Sequence, residues 1–234
     1  MIRKQSFVPG EWYHCYNRGT DKRVIFKSAP DYKRFLMLLY AANSTKRIIL
    51  SNFGKGTSVG PSLEKIVDGA HRGERLVDIG AYALMPNHFH LLLKESVEGG
   101  ITTFMRKVCT GYAMSFNLKY KRTGTLFESR FKAKHISDDR YMRRIVNYIH
   151  ANPAELFEPD LKIGKIGNIK NLKSKLWKYP YSSYPDYQQG VERLEAIIVQ
   201  QESLRNATDV DLNFNRVITD AVDFAREEKD TKLM

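Results

Sequence analysis

Residues 85–93 read Met-Pro-Asn-His-Phe-His-Leu-Leu-Leu, and this stretch decides the fold expected for the chain. Its proline and asparagine supply turn chemistry, and the apolar stretches on both sides have strand character. The sequence therefore predicts a β-hairpin with strands at 76–85 and 88–94. Because side chains alternate between the two faces of a strand, we expect His88 and His90 to project from the same face.

The segments around the hairpin alternate between strand and helix patterns. The order strand, helix, hairpin, helix, strand, helix predicts an α+β fold, a ferredoxin-like antiparallel sheet with helices packed on it. The predicted elements outside the hairpin are strands at 12–17, 48–50 and 131–136, a helix that begins at 28–31, and helices over 101–120 and 138–152.

Composition divides the chain into a basic main domain and an acidic tail. Residues 1–187 carry the predicted strands and the three helices placed above, and they form the expected domain. Within them, residues 51–75 are rich in glycine, serine and charge without a clear period, which predicts a loop insertion. Residues 188–234 are predicted to form an acidic, partly helical tail, since residues 186–234 hold 6 basic and 11 acidic residues.

The charge balance points to an anionic polymer as partner. The 234 residues include 38 Lys plus Arg against 26 Asp plus Glu, a net charge of +12. The excess is concentrated in residues 101–150, which hold 11 basic and 3 acidic residues. Such a stretch favours a phosphate-binding surface over an ordinary solvated helix face. Its candidate DNA-binding residues are Arg106, Lys107, Arg130, Lys132 and Lys134.

The composition also limits the class of protein. An apolar fraction of 42% with 12% aromatic residues is typical of a globular chain with a packed core. The longest apolar stretch, residues 35–42, is far shorter than a membrane span, and no apolar signal core follows Met1. Cys15 and Cys109 do not form a C-x-x-C motif, so we expect reduced thiols in a cytoplasmic protein that does not enter a membrane.

Four side chains suggest chemistry at a phosphate. The imidazoles of His88 and His90 can bind a divalent cation, and Tyr148 and Asn152 are four residues apart, so they share a helix face. A tyrosine hydroxyl is a nucleophile, although its pKa of about 10 requires help at neutral pH. Taken singly, each of these residues is more typical of a core or rim position. Tyr141, two helical turns before Tyr148, stays open as an alternative nucleophile.

The combination of these motifs resembles a known family. Residues 85–93, followed by Tyr-Ile-His-Ala-Asn-Pro at 148–153, are similar to the single-tyrosine HUH transposases, and more closely to the REP-associated tyrosine transposases. Further similarity lies in the first strand at 13–19, at 124–131 and at 177–184, so the resemblance covers about residues 7–187.

This resemblance implies a mechanism and a set of site residues. It implies a ferredoxin-like fold in which His88, His90 and Asn152 hold Mg or Mn, and in which Tyr148 is the nucleophile. The family's tyrosine attacks single-stranded DNA beside a hairpin and forms a 5′-phosphotyrosine link. Ala154 and Glu155 depart from the valine and arginine usual in the family, which puts a local basic contact in doubt.

Two other functions remain open at this point. The chain could be a hairpin-binding regulatory protein that no longer cuts, since a basic surface binds phosphates with or without catalysis. It could also be a metal phosphohydrolase without a covalent step, although no carboxylate cluster supports that hypothesis. The partner expected in the first two cases is single-stranded or hairpin DNA. The sequence leaves open whether the chain is a monomer or a homodimer.

Overall fold

The computed structural model describes residues 6–53, 61–163, 167–188, 190, 192–209 and 212–233. These ranges contain four β-strands and seven α-helices, joined by loops and short 3-10 turns. The strands are β1 (Trp12–Arg18), β2 (Val77–Met85), β3 (His88–Glu95) and β4 (Lys132–His135). The helices are α1 (Ala29–Ala42), α2 (Leu63–Gly69), α3 (Gly100–Lys119), α4 (Asp139–Ala151), α5 (Ile169–Trp177), α6 (Gln201–Ala207) and α7 (Phe214–Leu233).

The four strands form one antiparallel sheet in the order β2-β3-β1-β4. This order, with α1 between β1 and β2 and α3 between β3 and β4, is that of the ferredoxin-like fold, so the predicted α+β fold class is confirmed. The predicted hairpin is also present, because Met85 pairs with His88 across a turn of Pro86 and Asn87.

One face of the sheet packs against α1 and α3. The alternate residues of β3 that point to this side, Phe89, Leu91 and Leu93, are fully buried in the main core. Phe35 of α1 and Tyr112 of α3 lie in the same cluster. This face is therefore closed by hydrophobic packing, and the functional groups of β3 have to lie on the opposite face.

The opposite face carries α4, the helix that contains Tyr148. Asp138 begins this helix by accepting a hydrogen bond from the backbone N–H of Tyr141. Ile145 and Ile149 of α4 are buried over Ala81 and Ala83 of β2. Because these two strand residues are small, the helix lies close to the sheet and its last turn reaches the His88 end of the hairpin.

Parts of the sequence prediction are wrong in detail. Residues 48–50 are not a strand; a 3-10 turn begins at Leu50 and ends at Phe53. The segment 51–75 is not all loop, since it contains α2, which buries Ile66 fully in the main core. Residues 54–60 of that segment lie outside the described residues. The tail contains α6 and α7, and none of the described helices is long and apolar enough to cross a membrane.

Asp31 links the start of α1 to the end of α3. Its buried carboxylate accepts hydrogen bonds from the backbone N–H groups of Lys27 and Ser28, at 2.9 and 3.0 Å, and from the Tyr120 hydroxyl at 2.7 Å. It also forms an ion pair with Lys119 at 2.6 Å. Burial alone would raise the pKa of Asp31, but these bonds outweigh it and the pKa lies below the usual value.

We expect Asp31→Ala to lower the free energy of unfolding by about 3 kcal/mol at pH 7, because four donors lose a buried acceptor. Since the folded-state pKa is lowered, this contribution is present above the unfolded pKa of about 4 and is lost as the pH falls through the folded value. Urea denaturation at pH 7 and pH 3 measures it. A difference between wild type and variant that is as large at pH 3 as at pH 7 would contradict the role of the charge.

Candidate active site

The two histidines of the hairpin lie on the face of the sheet that α4 covers. Their ring centroids are 5.1 Å apart, and His90 is buried while His88 is partly exposed. The alternation expected from the sequence is therefore present in the structure. Tyr148 of α4 packs against His90, with the two ring centroids 5.4 Å apart.

Asn152 follows α4 directly and is oriented by the helix itself. Its Nδ2 donates to the backbone carbonyl of Tyr148 at 3.3 Å, so its Oδ1 points to Nε2 of His88, also at 3.3 Å. The backbone of Asn152 is helical despite the proline that follows it, and the chain continues as a 3-10 turn to Leu156. The α-helix ends where the sequence predicts, but Asn152 does not leave the helical region.

His88 lies between two amide oxygens. Its Nδ1 is 2.6 Å from Oδ1 of Asn87, whose own Nδ2 donates to the carbonyl of Lys22 and so fixes the amide. A neutral imidazole carries one N–H and can donate to only one of the two oxygens that face it. If Nδ1 donates to Asn87, the lone pair of Nε2 faces Oδ1 of Asn152, an arrangement that suits a cation between them.

The donor set fits a divalent cation of the Mg or Mn type. Two donors that are neighbours on an octahedral ion at about 2.1 Å lie about 3 Å apart, close to the 3.3 Å between His88 Nε2 and Asn152 Oδ1. His90 supplies a second imidazole on the same face. Among the described residues, no three His, Cys, Asp or Glu side chains lie together in a way that could hold a metal ion, so the third protein ligand here would have to be the amide oxygen of Asn152.

His14 lies behind His90 and makes a contact that the sequence does not reveal. Its Nε2 is 2.8 Å from Nδ1 of His90, and the two rings are stacked with centroids 5.0 Å apart. Burial, together with the nearby charge of Lys134, lowers the pKa of His14 to about 3, so His14 is neutral at pH 7. One proton is therefore shared between these two ring nitrogens. The contact leaves Nε2 of His90 as the nitrogen that faces the site.

The predicted basic residues divide into two groups. Lys132 and Lys134 of β4 lie directly opposite Tyr16 and His14 of β1, so their side chains project from the same face of the sheet as the histidines. Arg130 is exposed just before β4. Arg106 and Lys107 lie on α3, which packs against the opposite face. The Nζ of Lys107 donates to the carbonyl of Ser44 at 2.7 Å. The structure therefore brings only the β4 lysines to the histidine pair.

The tail packs directly on the site. The ring of Phe224 of α7 packs against that of Tyr148 at a tilt of 39°, with centroids 4.4 Å apart. Asn147 of α4 donates through Nδ2 to Asp220 of α7 at 2.6 Å. The acidic segment is thus in contact with the helix that carries the tyrosine, which its composition did not indicate.

The other histidines and Tyr141 lie in different surroundings. His150 is fully buried, with Nε2 2.9 Å from the Ser183 hydroxyl. His135 is 2.8 Å from Glu11, and His71 is exposed. Tyr141 lies under the ammonium group of Lys134, at 4.7 Å. In the described contacts, two tyrosine rings pack against both His14 and His90, those of Tyr16 on β1 and Tyr148 on α4.

One protein-family model matches the middle of the chain. Residues 56–152 match the family model described as "Transposase IS200 like". This range includes both histidines of the hairpin, Tyr148 and Asn152. No curated protein sequence matches the chain.

A solved structure supports the fold. A REP-associated tyrosine transposase bound to a REP hairpin superposes with a TM-score of 0.50 at 14% sequence identity, over 83% of this chain and 90% of that chain. At this identity the likeness bears on the fold alone. The family match over residues 56–152 and the shared fold together confirm the resemblance of this chain to the IS200-like, single-tyrosine transposases.

Proposed function

We propose that this chain is a metal-dependent single-stranded DNA endonuclease and strand transferase that forms a covalent 5′-phosphotyrosine intermediate. The observation that carries the proposal is the position of Tyr148, whose ring lies 5.4 Å from that of His90 and one helical turn before Asn152. A nucleophile, two imidazoles and an amide oxygen thus meet on one face of the sheet. The family match supports DNA transposition as the process that this chemistry serves.

The proposed reaction is a transesterification. The Tyr148 hydroxyl oxygen forms a bond to phosphorus and loses its proton, while the bond from phosphorus to the 3′ oxygen breaks and that oxygen takes up a proton. The phosphate stays attached to the 5′ carbon of the downstream nucleotide. Because one phosphoester bond replaces another, attack by a 3′-hydroxyl on the phosphotyrosine can rejoin strands.

His88, His90 and Asn152 are the residues that would hold the cation. When bound, Mg or Mn neutralises charge on the scissile phosphate and lowers the cost of forming the tyrosyl phosphate bond. The protein contributes orientation, since Asn87 fixes the ring of His88 and the Tyr148 carbonyl fixes the amide of Asn152. All three ligands are neutral, so we expect the substrate phosphate to strengthen cation binding.

The proposed substrate is single-stranded DNA next to a hairpin. The structural neighbour was solved with a REP hairpin, and the net charge of +12 suits such a polyanion. Lys132 and Lys134 stand beside the site on the edge strand β4, where they can bind phosphates on either side of the scissile bond. Arg106, Lys107 and Arg130 remain predicted DNA contacts.

A covalent trapping assay tests the proposal. We expect a 3′-labelled hairpin oligonucleotide with single-stranded flanks to give a labelled protein band on a denaturing gel with Mg or Mn, and a 5′-labelled one to give only a shortened free strand. Chelation with EDTA should abolish the band, and readdition of the metal should restore it. The label has to be retained when it lies 3′ of the cut, because the phosphate stays with that strand.

Two results would favour the other functions. Tight, metal-independent hairpin binding without cleavage of any oligonucleotide tested would favour the regulatory binding protein. Metal-dependent cleavage without a covalent adduct, with water as the nucleophile, would favour the phosphohydrolase and would refute the role proposed for Tyr148.

A further inference from the structure

A second basic surface lies outside the basic stretch at residues 101–150. Residues 161–185 contain six lysines and no acidic residue. Four of the lysines lie on α5 or at its end, and all four are exposed: Lys170, Lys173, Lys175 and Lys178. Leu172 and Leu176, one helical turn apart, are buried on the other side of the same helix. The helix is thus amphipathic, with a cationic outer face.

The lysines of this face are not balanced by neighbouring acids. In the described part of the chain, none of the four forms an ion pair with a carboxylate. Lys175 is the most constrained of them, because its ammonium lies 5.2 Å from the centre of the Phe157 ring. The other three present their charge to solvent on a helix that is fixed by packing. Such a face is complementary to a row of anions.

This surface is connected to the active site through the core. The buried face of α5 packs in one cluster with Ala151 and Ala154, which flank Asn152 in the chain. Tyr184, seven residues after the end of α5, lies in the same cluster. The position of α5 is therefore fixed relative to the last turn of α4, and a ligand held on α5 has a defined relation to Tyr148.

We propose that Lys170, Lys173 and Lys178 bind the phosphate backbone of the duplex stem of the DNA hairpin, outside the catalytic site. This inference rests on the DNA partner in the proposed function. Lysines on such a face bind phosphate groups through their charge, and contacts of this kind do not depend on the base sequence. The helix is about 13 Å long, which spans about four phosphates of one strand of a duplex. Surfaces for single strands use successive aromatic side chains, whereas this face exposes one, Trp177, at 40%.

The test is the salt dependence of binding without metal. We expect a variant with Lys170, Lys173 and Lys178 changed to Gln to bind a fluorescein-labelled hairpin at least tenfold more weakly at 0.1 M salt. Each lost phosphate contact is worth about eightfold there and lowers the slope of log K against log salt by about 0.9. Affinity for the blunt duplex of the stem should fall in parallel, and affinity for a single strand of the same length should fall less.

The matched control is a second triple variant that removes three positive charges from the other side of the sheet. Lys33, Lys46 and Lys65 are exposed on or near α1 and α2, and their change to Gln should alter the slope by less than half a unit. Equal losses in both triple variants, or an unchanged slope in the α5 variant, would overturn the proposal. Loss of binding to anionic phospholipid vesicles with unchanged DNA affinity would overturn it too, in favour of a membrane surface.

This outcome is separable from the fate of the proposed function. At saturating protein the α5 variant should still form the covalent adduct, because no changed residue contacts the histidines. If the wild-type protein forms no adduct but the α5 variant loses hairpin affinity, the catalytic proposal fails and the surface stands. If adducts form normally and hairpin affinity is unchanged, the surface proposal alone fails.

Discussion

Tyr148→Phe is expected to abolish the covalent protein–DNA adduct and to lower strand cleavage by at least about a thousandfold, since removal of a nucleophile leaves only binding and orientation. The variant should fold normally, because the ring remains and keeps its packing against Phe224, with ring centroids 4.4 Å apart. Hairpin affinity in the absence of metal should stay within about twofold of wild type. Labelled oligonucleotides, a denaturing gel and a binding titration give all three quantities.

Tyr141→Phe is the control for this experiment. Both tyrosines lie on α4 and both are partly buried, but Tyr141 packs under Lys134 and Tyr148 packs against His90. We expect Tyr141→Phe to retain the adduct. An adduct that persists in Tyr148→Phe and disappears in Tyr141→Phe would show that the nucleophile is assigned to the wrong turn of the helix.

The fold could be predicted because its main signals are local. The two-residue turn at Pro86 and Asn87, the alternation in β3 and the Asp138 cap of α4 each depend on residues close in sequence. The order of these elements then leaves few arrangements of an antiparallel sheet. For this reason the α+β, ferredoxin-like class was accessible without a structure.

The errors come from segments whose structure is set by tertiary contacts. Ile48 and Ile49 resemble a strand, but no strand within the described ranges pairs with them, and the chain turns at Leu50. Ile66 is buried through α2, although the surrounding residues have no clear helical period. The contact of α7 with α4 is equally non-local, since Phe224 and Tyr148 are 76 positions apart in the chain.

The candidate site was predictable only in part. The shared face of His88 and His90 follows from strand alternation, and the shared face of Tyr148 and Asn152 follows from helical spacing. That the two faces meet depends on how α4 crosses the sheet. His14 is 76 positions from His90 and has the sequence features of an ordinary buried histidine. The sequence shows that the α5 lysines lie in a stretch without acidic residues, but it does not show that their side chains are exposed.

The contact between His14 and His90 leads to the second large expected effect. If His90 binds the cation through Nε2, its Nδ1 carries the proton and donates it to His14 Nε2, across the observed 2.8 Å. This bond fixes the ring orientation and raises the basicity of Nε2. His14 is then a positioning residue, which acts on the cation through His90 without contacting it.

We expect His14→Phe to weaken Mn binding about 10- to 100-fold, because loss of an outer-shell partner of a ligand typically costs this much. Titration followed by electron paramagnetic resonance of free Mn measures the affinity directly, independently of DNA cleavage. His14→Gln should recover most of it, since its amide oxygen can reach the place of Nε2 and accept the same hydrogen bond.

Tyr13→Phe serves as the control for damage to β1. Tyr13 adjoins His14 but projects into the opposite core, where its hydroxyl accepts a hydrogen bond from the backbone N–H of Val8 at 3.0 Å. This change should lower stability and leave Mn affinity unaltered. Equal loss of affinity in Tyr13→Phe and His14→Phe, or unchanged affinity in His14→Phe, would contradict the positioning role. If Mn affinity is lost in His14→Phe and recovered in His14→Gln, the effect is due to the hydrogen bond. Phe and Gln both fill the buried space, but only Gln can accept the proton of His90.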